Sequence, residues 1–322
     1  MATYKGIQGF TIQNLSADPS NPIEGQVWYN STSNVWKVEE LTTAGTFATG
    51  NNMNNSNYFV GSAGTQTAAL AFGSANPGAN GLTESYNGTS WTTQPTFSPR
   101  NGVAGGGALG TQTATLVIGA IPAVTSVESW SGSTWSPSPS LNTGRGNSGV
   151  AGTQTAALVF GGRAPDSTAT ESFNGTTWTS VNSMNTARWA IGSFGTQTAA
   201  IATSGEPPTA ATESWDGTSW TTVASSNTAI AGRSGAGIQT AGLAMGGYAV
   251  PATTATELYD GTSWTSNPSG LSTARGFAGS GGTQTSAIIF AGYLPAGGGS
   301  LSNATEEWTG PGVAVTKTIT VS

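Results

Sequence analysis

The sequence predicts an all-β fold, a β-propeller of six four-stranded blades preceded by a short N-terminal segment, and three observations carry that prediction. A unit opening on Gly-Thr-Gln-Thr and closing on Thr-Glu-Ser-aromatic-Asn/Asp-Gly-Thr-x-Trp comes round six times, starting at Gly64, Gly110, Gly152, Gly195, Gly237 (as Gly-Ile-Gln-Thr) and Gly282. The units follow one another at 42 to 46 residues, the length of a propeller blade in a strand-rich chain. Composition agrees: 47 glycines, 15 prolines and 36 % apolar residues among 322 suit many small cores in series better than one large core built from long helices.

The third unit serves as the type. Ser148 to Ala151 approach a turn made by Gly152-Thr153-Gln154-Thr155, and Ala156 to Gly162 reads as a continuous apolar strand of small side chains near the axis. Ala169 to Phe173 forms the next strand, Asn174-Gly175 supplies left-handed residues for a tight hairpin turn, and Thr176 to Ser180 returns through Trp178. The four strands are called a, b, c and d. The turn recurs at Asn87-Gly88, Asp216-Gly217 and Asp260-Gly261, with weaker versions at Ser131-Gly132 and Thr309-Gly310. Trp91, Trp135, Trp178, Trp220 and Trp264 each follow by five residues the aromatic that ends strand c. Such regularity predicts aromatic packing between blades, each ring contributing roughly 1.5–3 kcal/mol on burial.

The charges obey the same period. Glu84, Glu128, Glu171, Glu213, Glu257 and Glu306 hold one repeat position, and Arg100, Arg145, Arg188, Arg233 and Arg275 another, between strand d and the next strand a. A carboxylate present in every blade is expected to be a paired structural strut, because a catalytic one is normally unique in its fold.

Several function classes are excluded or disfavoured. Charged residues are 7 % of the chain, against a norm of about 25 %, and the net charge is −6 with nine Lys plus Arg, which argues against nucleic-acid binding. With no Cys and no His, the chain lacks disulfides, thiolate chemistry, Cys/His metal sites and the commonest general base, and no cofactor is implied. No apolar run reaches the roughly 20 residues that span a bilayer, so membrane insertion is not expected. The start, Met-Ala-Thr-Tyr-Lys-Gly-Ile-Gln-Gly-Phe, lacks the apolar core of a signal peptide, so the chain is expected to be made in a cytoplasm without export by the usual route.

A glycine pair closing strand b (Gly161-Gly162, Gly246-Gly247), an aromatic ending c, a Trp in d and an Arg before the following a together resemble the kelch repeat, over residues from about 46 to 322. The pair decays to Gly73-Ser74, Gly119-Ala120, Ser204-Gly205 and Ala291-Gly292. The resemblance implies four-stranded antiparallel blades around a central channel, and a family that includes a copper oxidase and many non-enzymatic binding modules. The oxidase's copper site resembles nothing in a chain without His or Cys.

Upstream, Asn14 to Lys37, with Pro22-Ile23-Glu24-Gly25-Gln26-Val27-Trp28-Tyr29-Asn30 at its centre, resembles a segment of bacteriophage tail-fibre and other virion structural proteins that precedes a short hairpin. That resemblance implies a virion protein, made in the host cytoplasm and released by lysis, that docks on other virion proteins through residues 1–45, with residues 46–322 as the propeller. By analogy with fibres it leaves a homo-oligomer open, although the chain carries no coiled-coil heptads. Two closures of the ring are open as well. Residues 313–321 are the candidate strand d of the sixth unit, which lacks a Trp at the expected place; alternatively the hairpin from Trp28 to Trp36 completes the closing blade.

Strand parity places the a–b and c–d turns on one face and the b–c and d–a loops on the other. The first face carries the repeated turns. The second carries the differences, with b–c loops at residues 74–80, 163–167, 205–208 and 293–299, and variable loops on a rigid scaffold are where recognition resides. Residues that break the repeat there are Arg163, Asp166, Glu206, Tyr248 and Tyr293 in b–c loops and Trp189 in a d–a loop. An exposed aromatic beside polar groups can stack on a sugar ring, so these six are the candidate partner-binding residues, for a host-surface glycan or receptor.

Three function classes compete. The leading expectation is a non-enzymatic virion structural or appendage protein, a tail fibre or a surface decoration. A lectin-like or glycan-cleaving propeller is the second. For it, Asp216-Gly217-Thr218-Ser219-Trp220 is similar to the Asp-box turn of sialidases, but that motif has a residue between Asp and Gly, and the boxes are structural even in the enzymes. Hydrolysis needs two carboxylates roughly 5 to 10 Å apart, for which Asp166 and Glu206 are the non-periodic candidates in the variable loops. A general protein-interaction propeller is the third class, without the adaptor domain or charged patches such a protein carries.

Overall fold

The computed structural model describes residues 13–20, 25–41, 44–76, 81–103, 107, 109–163, 165–248, 253–295, 299–312 and 314–319. The extreme N-terminus, residues 21–24 of the phage-like segment, residues 77–80 and 296–298 of two variable loops, and residues 313 and 320–322 lie outside them. The chain divides into Met1–Ala44 with Gly310–Ser322, and Gly45–Thr309.

The larger unit is the propeller. Blade 3 runs Gly149–Thr153, Ala156–Phe160, Thr170–Phe173 and Trp178–Val181, hydrogen-bonded in that order and antiparallel throughout. Blades 1, 4 and 5 repeat it from Gly61, Gly192 and Ser234, and blade 2 has three described strands beginning at Thr115. The core is distributed: six buried apolar clusters each join the residues of two neighbouring blades, so every interface has its own small core. The tryptophans of strand d sit in these interfaces as the repeat predicts. Trp220 meets Phe160 of blade 3 edge-on at 4.8 Å, and Trp91 meets Phe290 of blade 6 likewise. The indole N–H of Trp220 donates to Thr170 Oγ1, and that of Trp91 to Thr305 Oγ1.

The ring closes in a way neither sequence reading anticipated. Blade 6 consists of Gly279–Gly282, Ser286–Phe290, Thr305–Thr309 and, as its outer strand, Thr46–Gly50 from the N-terminal side. Phe47 stands opposite Trp308, with ring centroids 4.9 Å apart, where other blades place the strand d Trp. Gly45 fits there because a Cβ would come within 2.0 Å of the Trp308 indole. Ala314–Ile319, the described part of the candidate strand d at residues 313–321, is therefore not strand d of the sixth blade, and the hairpin from Trp28 to Trp36 pairs in the other sheet. Ala314–Ile319 instead pairs with Val35–Leu41 in the smaller unit, a sheet ordered Gln13–Leu15, Val27–Asn30, Val35–Leu41, Ala314–Ile319. Its polar centre is Asp18, which accepts from the Trp28 indole, Asn30 Nδ2 and Lys37 Nζ.

The repeated polar residues are inter-strand ties. The Gln of Gly-Thr-Gln-Thr points inward, in most units between two exposed threonines, and its amide donates to two carbonyls at the a–b and c–d end of the preceding blade, near the start of strand b and at the end of strand c. Gln112 reaches Ala69 and Tyr86, Gln154 reaches Thr115 and Trp130, Gln284 reaches Gly242 and Tyr259, and Gln66 spans the closure to Ala287 and Trp308. The Glu/Arg pairs are buried struts, as their period predicts: Arg145–Glu171 at 2.7 Å, Arg233–Glu257 at 2.5 Å, Arg275–Glu306 at 2.8 Å, with Arg100–Glu128 and Arg188–Glu213 longer. Each Glu also accepts at least one backbone N–H from the loop before strand a, and Glu171 accepts two, from Asn142 and Thr143. Burial draws the Arg145 and Arg275 pKa down while the facing carboxylate pushes it back up.

The c–d turn differs from the reading in one respect. Gly88, Gly175, Gly217 and Gly261 adopt φ between +87° and +95°, whereas the preceding Asn or Asp does not. It works through its side chain: Oδ1 of Asn174 accepts the N–H groups of Thr176 and Thr177, and Oδ1 of Asp216 those of Thr218 and Ser219. Asn and Asp interchange because the backbone donors of the turn use only that oxygen. Asp216 is thus a turn former, its carboxyl held low by those backbone donors.

Candidate functional site

At the b–c and d–a end, every blade brings the same two chain crossings together. The residue leaving strand b is Ala75, Ile121, Arg163, Glu206, Tyr248 or Tyr293 in blades 1 to 6, and the residue approaching strand a is Tyr58, Asn101, Gly146, Trp189, Ala231 or Gly276. Backbone hydrogen bonds join each pair, from Ala75 N–H to Tyr58 at 3.0 Å, Ile121 to Asn101 at 2.7 Å, Arg163 to Gly146 at 2.8 Å, Glu206 to Trp189 at 2.8 Å, Tyr248 to Ala231 at 2.7 Å and Tyr293 to Gly276 at 2.8 Å. The frame uses main-chain atoms only, so the side chains are free to differ except at Gly146 and Gly276, where a Cβ would come within 2.6 Å of Ile121 and 2.7 Å of Tyr248.

The next residue in each blade forms an inner ring in the left-handed region: Phe59 (φ 53°), Gly102 (58°), Asn147 (51°), Ala190 (52°), Gly232 (63°) and Phe277 (56°). Its N–H donates to the carbonyl of its counterpart in the preceding blade, at 2.9 Å for Phe59 to Phe277, 2.8 Å for Phe277 to Gly232, 2.9 Å for Gly232 to Ala190, 2.9 Å for Ala190 to Asn147 and 3.0 Å for Asn147 to Gly102. Glycine is the residue that geometry favours, and a bulky side chain there is strained. Two phenylalanines hold it nonetheless.

Their rings explain the placement. Phe59 stacks on Phe277 at 4.1 Å, Phe277 meets Tyr248 at 5.1 Å, Tyr248 meets Tyr293 and Tyr293 meets Tyr58 at 5.7 Å each, and Tyr58 returns to Phe59 at 5.1 Å. Five half-buried aromatics from blades 5, 6 and 1 thus close a circuit on one side of the axis. On the other side the Arg163 guanidinium lies 4.5 Å above the Trp189 ring, a cation–π contact between blades 3 and 4. Between these halves is a narrow axial basin lined by Phe59, Val60, Val103, Asn147, Ala190, Gly232, Arg233, Phe277 and Ala278. Deeper along the axis the backbones of blades 2 and 5 meet at Gly107 and Gly235, where a Cβ on either would strike the Ser193 carbonyl.

The structure brings together five of the six residues nominated from sequence. Arg163, Glu206, Tyr248 and Tyr293 hold one position in four successive blades, and Trp189 is the backbone partner of Glu206. Asp166 is exposed farther along the blade 3 loop. Trp189 is half-buried, with Arg163 against its face. Tyr58, Phe59, Phe277 and Asn147 were missed; aligning the units on the residues just before strand a would have found them.

Electrostatically the site is singular in its cation. Between residues 45 and 309 the chain has no Lys and six Arg, of which Arg100, Arg145, Arg188, Arg233 and Arg275 are buried against glutamates. Arg163 alone among them is exposed, and no carboxylate lies within salt-bridge distance of it among the described residues.

No protein-family description and no curated protein matches the chain in sequence. Among solved structures it is similar to one titled "Structure of YjhT", with a TM-score of 0.64 and 14 % identity, covering 79 % of this chain and 95 % of that one. At that identity the likeness shows the fold alone, a β-propeller of repeated four-stranded sheets.

Proposed function

We propose that this chain is a non-enzymatic bacteriophage virion protein, a tail fibre or surface decoration, whose propeller holds a host-surface glycan on the face bearing the b–c and d–a loops. The observation that carries the binding reading is the aromatic circuit of Tyr58, Phe59, Tyr248, Phe277 and Tyr293. Two of its rings are held at left-handed backbone positions, a strain that persists where a site requires it. Half-buried rings with phenolic hydroxyls present flat apolar faces beside hydrogen-bonding groups, the surface that a pyranose ring matches. The virion reading is supported by the resemblance of residues 14–37 to phage structural proteins and by a composition without Cys or His. Residues 1–45 would then be the docking element toward other virion proteins.

The test is a glycan array and a whole-cell adsorption assay with the purified chain, its Tyr293→Ala and Tyr248→Ala variants, and Trp189→Ala. The expected result is saturable binding that both tyrosine variants lose while their circular dichroism and melting stay unchanged. Adsorption that survives both tyrosine substitutions would remove the assignment of the site.

A further inference from the structure

Every repeated glutamate but one faces an arginine. Glu84 of blade 1 is 1 % exposed, and among the described residues no Lys or Arg lies within salt-bridge distance of it. Its donors are neutral: the N–H of Asn54 at 2.8 Å, that of Asn55 at 3.1 Å and Asn55 Nδ2 at 3.0 Å. A buried charge is costly, and folded proteins pair it or give it a metal ion.

Blade 5 shows how strictly the pairing is kept. The second residue of the glycine-pair position donates its N–H to the carbonyl of the residue that carries the arginine in the following blade: Ala120 to Arg145, Gly162 to Arg188 and Gly247 to Arg275. The same bond from Gly205 ends on Ile230, and that from Gly292 ends on Asn57. Ile230 thus holds the arginine's place in blade 5, and Arg233 enters three residues later, yet still reaches Glu257 at 2.5 Å. Blade 1 has neither arrangement, because Asn57 and Val60 stand at the two positions.

What surrounds the guanidinium elsewhere is nonetheless present in blade 1. Arg145 donates from Nη2 to Glu171 Oε1, and from Nη1 to Gly161 O at 3.3 Å and Ala169 O at 2.6 Å. Gly73 and Leu82 are the counterparts of those two residues, joined by the same backbone bond, 2.9 Å against 3.0 Å. Asn57 adds a side-chain oxygen: the residue is 2 % exposed, and its Oδ1 has no hydrogen bond among the described residues. A buried acceptor left open in this way calls for a partner. The oxygens of Glu84, Asn57, Gly73 and Leu82 are all acceptors, at a place that holds a positive charge in every other blade.

We propose that blade 1 binds an alkali metal cation, sodium or potassium, in place of the arginine, with Glu84 as its counter-charge and Asn57 Oδ1 as a ligand. One carboxylate among neutral oxygens matches a single positive charge, whereas a divalent ion would leave net charge buried. This cation site is independent of the glycan reading.

Crystals of the full chain grown with thallium(I) acetate, whose ion stands in for potassium, should show an anomalous peak at Glu84 and Asn57 that Glu84→Gln loses. In solution, urea unfolding would be followed at constant ionic strength with choline replacing sodium or potassium. Once the site saturates, each tenfold rise in the bound ion should raise the folded-to-unfolded ratio about tenfold, and Glu84→Gln should remove that dependence. Asn57→Arg supplies the guanidinium of the other blades, so its midpoint in choline should reach that of the native chain in the preferred ion and stay insensitive to it. Should Glu84→Gln not fold, the native peak and Asn57→Arg decide the matter. Equal stability of the native chain in choline, sodium and potassium, or a dependence that both variants retain, overturns the site. A dependence on calcium alone overturns the monovalent assignment.

Discussion

Gln154→Ala tests whether the repeated glutamine holds the ring together. Its Nε2 donates to Thr115 O at 3.0 Å and Trp130 O at 2.6 Å, the ends of two strands in the preceding blade. Each neutral hydrogen bond contributes about 1 kcal/mol net, and a carbonyl left short of a donor adds about 1 kcal/mol more where water reaches it poorly. Because Gln154 is half-buried, the expected loss is about 2–3 kcal/mol, a large share of the roughly 5–15 kcal/mol that stabilises a typical domain. Equilibrium urea unfolding would show it as a lower midpoint at unchanged slope. Thr155→Ala is the internal control: its side chain is exposed in the same turn, so its effect should stay within about 0.5 kcal/mol. If Gln154→Ala costs no more than Thr155→Ala, the glutamine is a turn residue and the inter-blade clasp is wrong. Gln154→Glu, which sets a carboxylate against two carbonyl oxygens, should be worse than Ala.

Other outcomes follow from the same geometry. Glu171→Gln leaves Arg145 buried without its counter-charge, and removing one partner of such a pair costs about 3–5 kcal/mol; the chemical-denaturation midpoint of Glu171→Gln should therefore fall below that of Glu128→Gln, whose pair is less deeply buried. Deleting residues 1–44 should leave the propeller melting cooperatively, whereas deleting 1–50 removes the outer strand of blade 6 with Phe47 and should abolish the cooperative transition in calorimetry. In the smaller unit, Lys37 above all, then Asn30 and Trp28, hold the Asp18 carboxyl at about 2, against an ordinary 3.8. That depressed value stabilises the fold above pH 4, and the contribution disappears as pH falls from 4 to 2. The Trp28 indole N–H resonance should shift over that window in the native chain and stay flat in Asp18→Asn.

Much of the ring was legible because its periodic residues make periodic bonds. Glu171 and Arg145 announce a strut by recurring together, and Trp178 announces an interface by keeping its distance from Phe173. The closure was not legible. Thr46-Phe47-Ala48-Thr49-Gly50 carries no Trp and no repeat signature, while the Val- and Thr-rich C-terminus is locally just as good a strand. Only register decides between them, through Phe47 over Trp308 and an indole that tolerates no Cβ at residue 45. At the site, sequence singled out Arg163, Glu206, Tyr248 and Tyr293 as departures from the repeat without showing that they are one position sampled four times. Asn147 was invisible for a different reason: Asn is at ease in a left-handed backbone, and nothing in the sequence marks its amide as buried on the inner ring.

The frame beneath the variable face is bonded entirely through main-chain N–H and C=O groups. The bonds of that frame and the side chains it displays draw on different sets of atoms. A side chain at the outer positions other than Gly146 and Gly276 can therefore be exchanged without breaking a bond of the frame, and exchanges at residues that do not touch should combine independently, whereas Arg163 with Trp189, and Tyr293 with Tyr248 or Tyr58, should couple. The propeller is in this respect a display, whose outer side chains can change while the molecule stays folded.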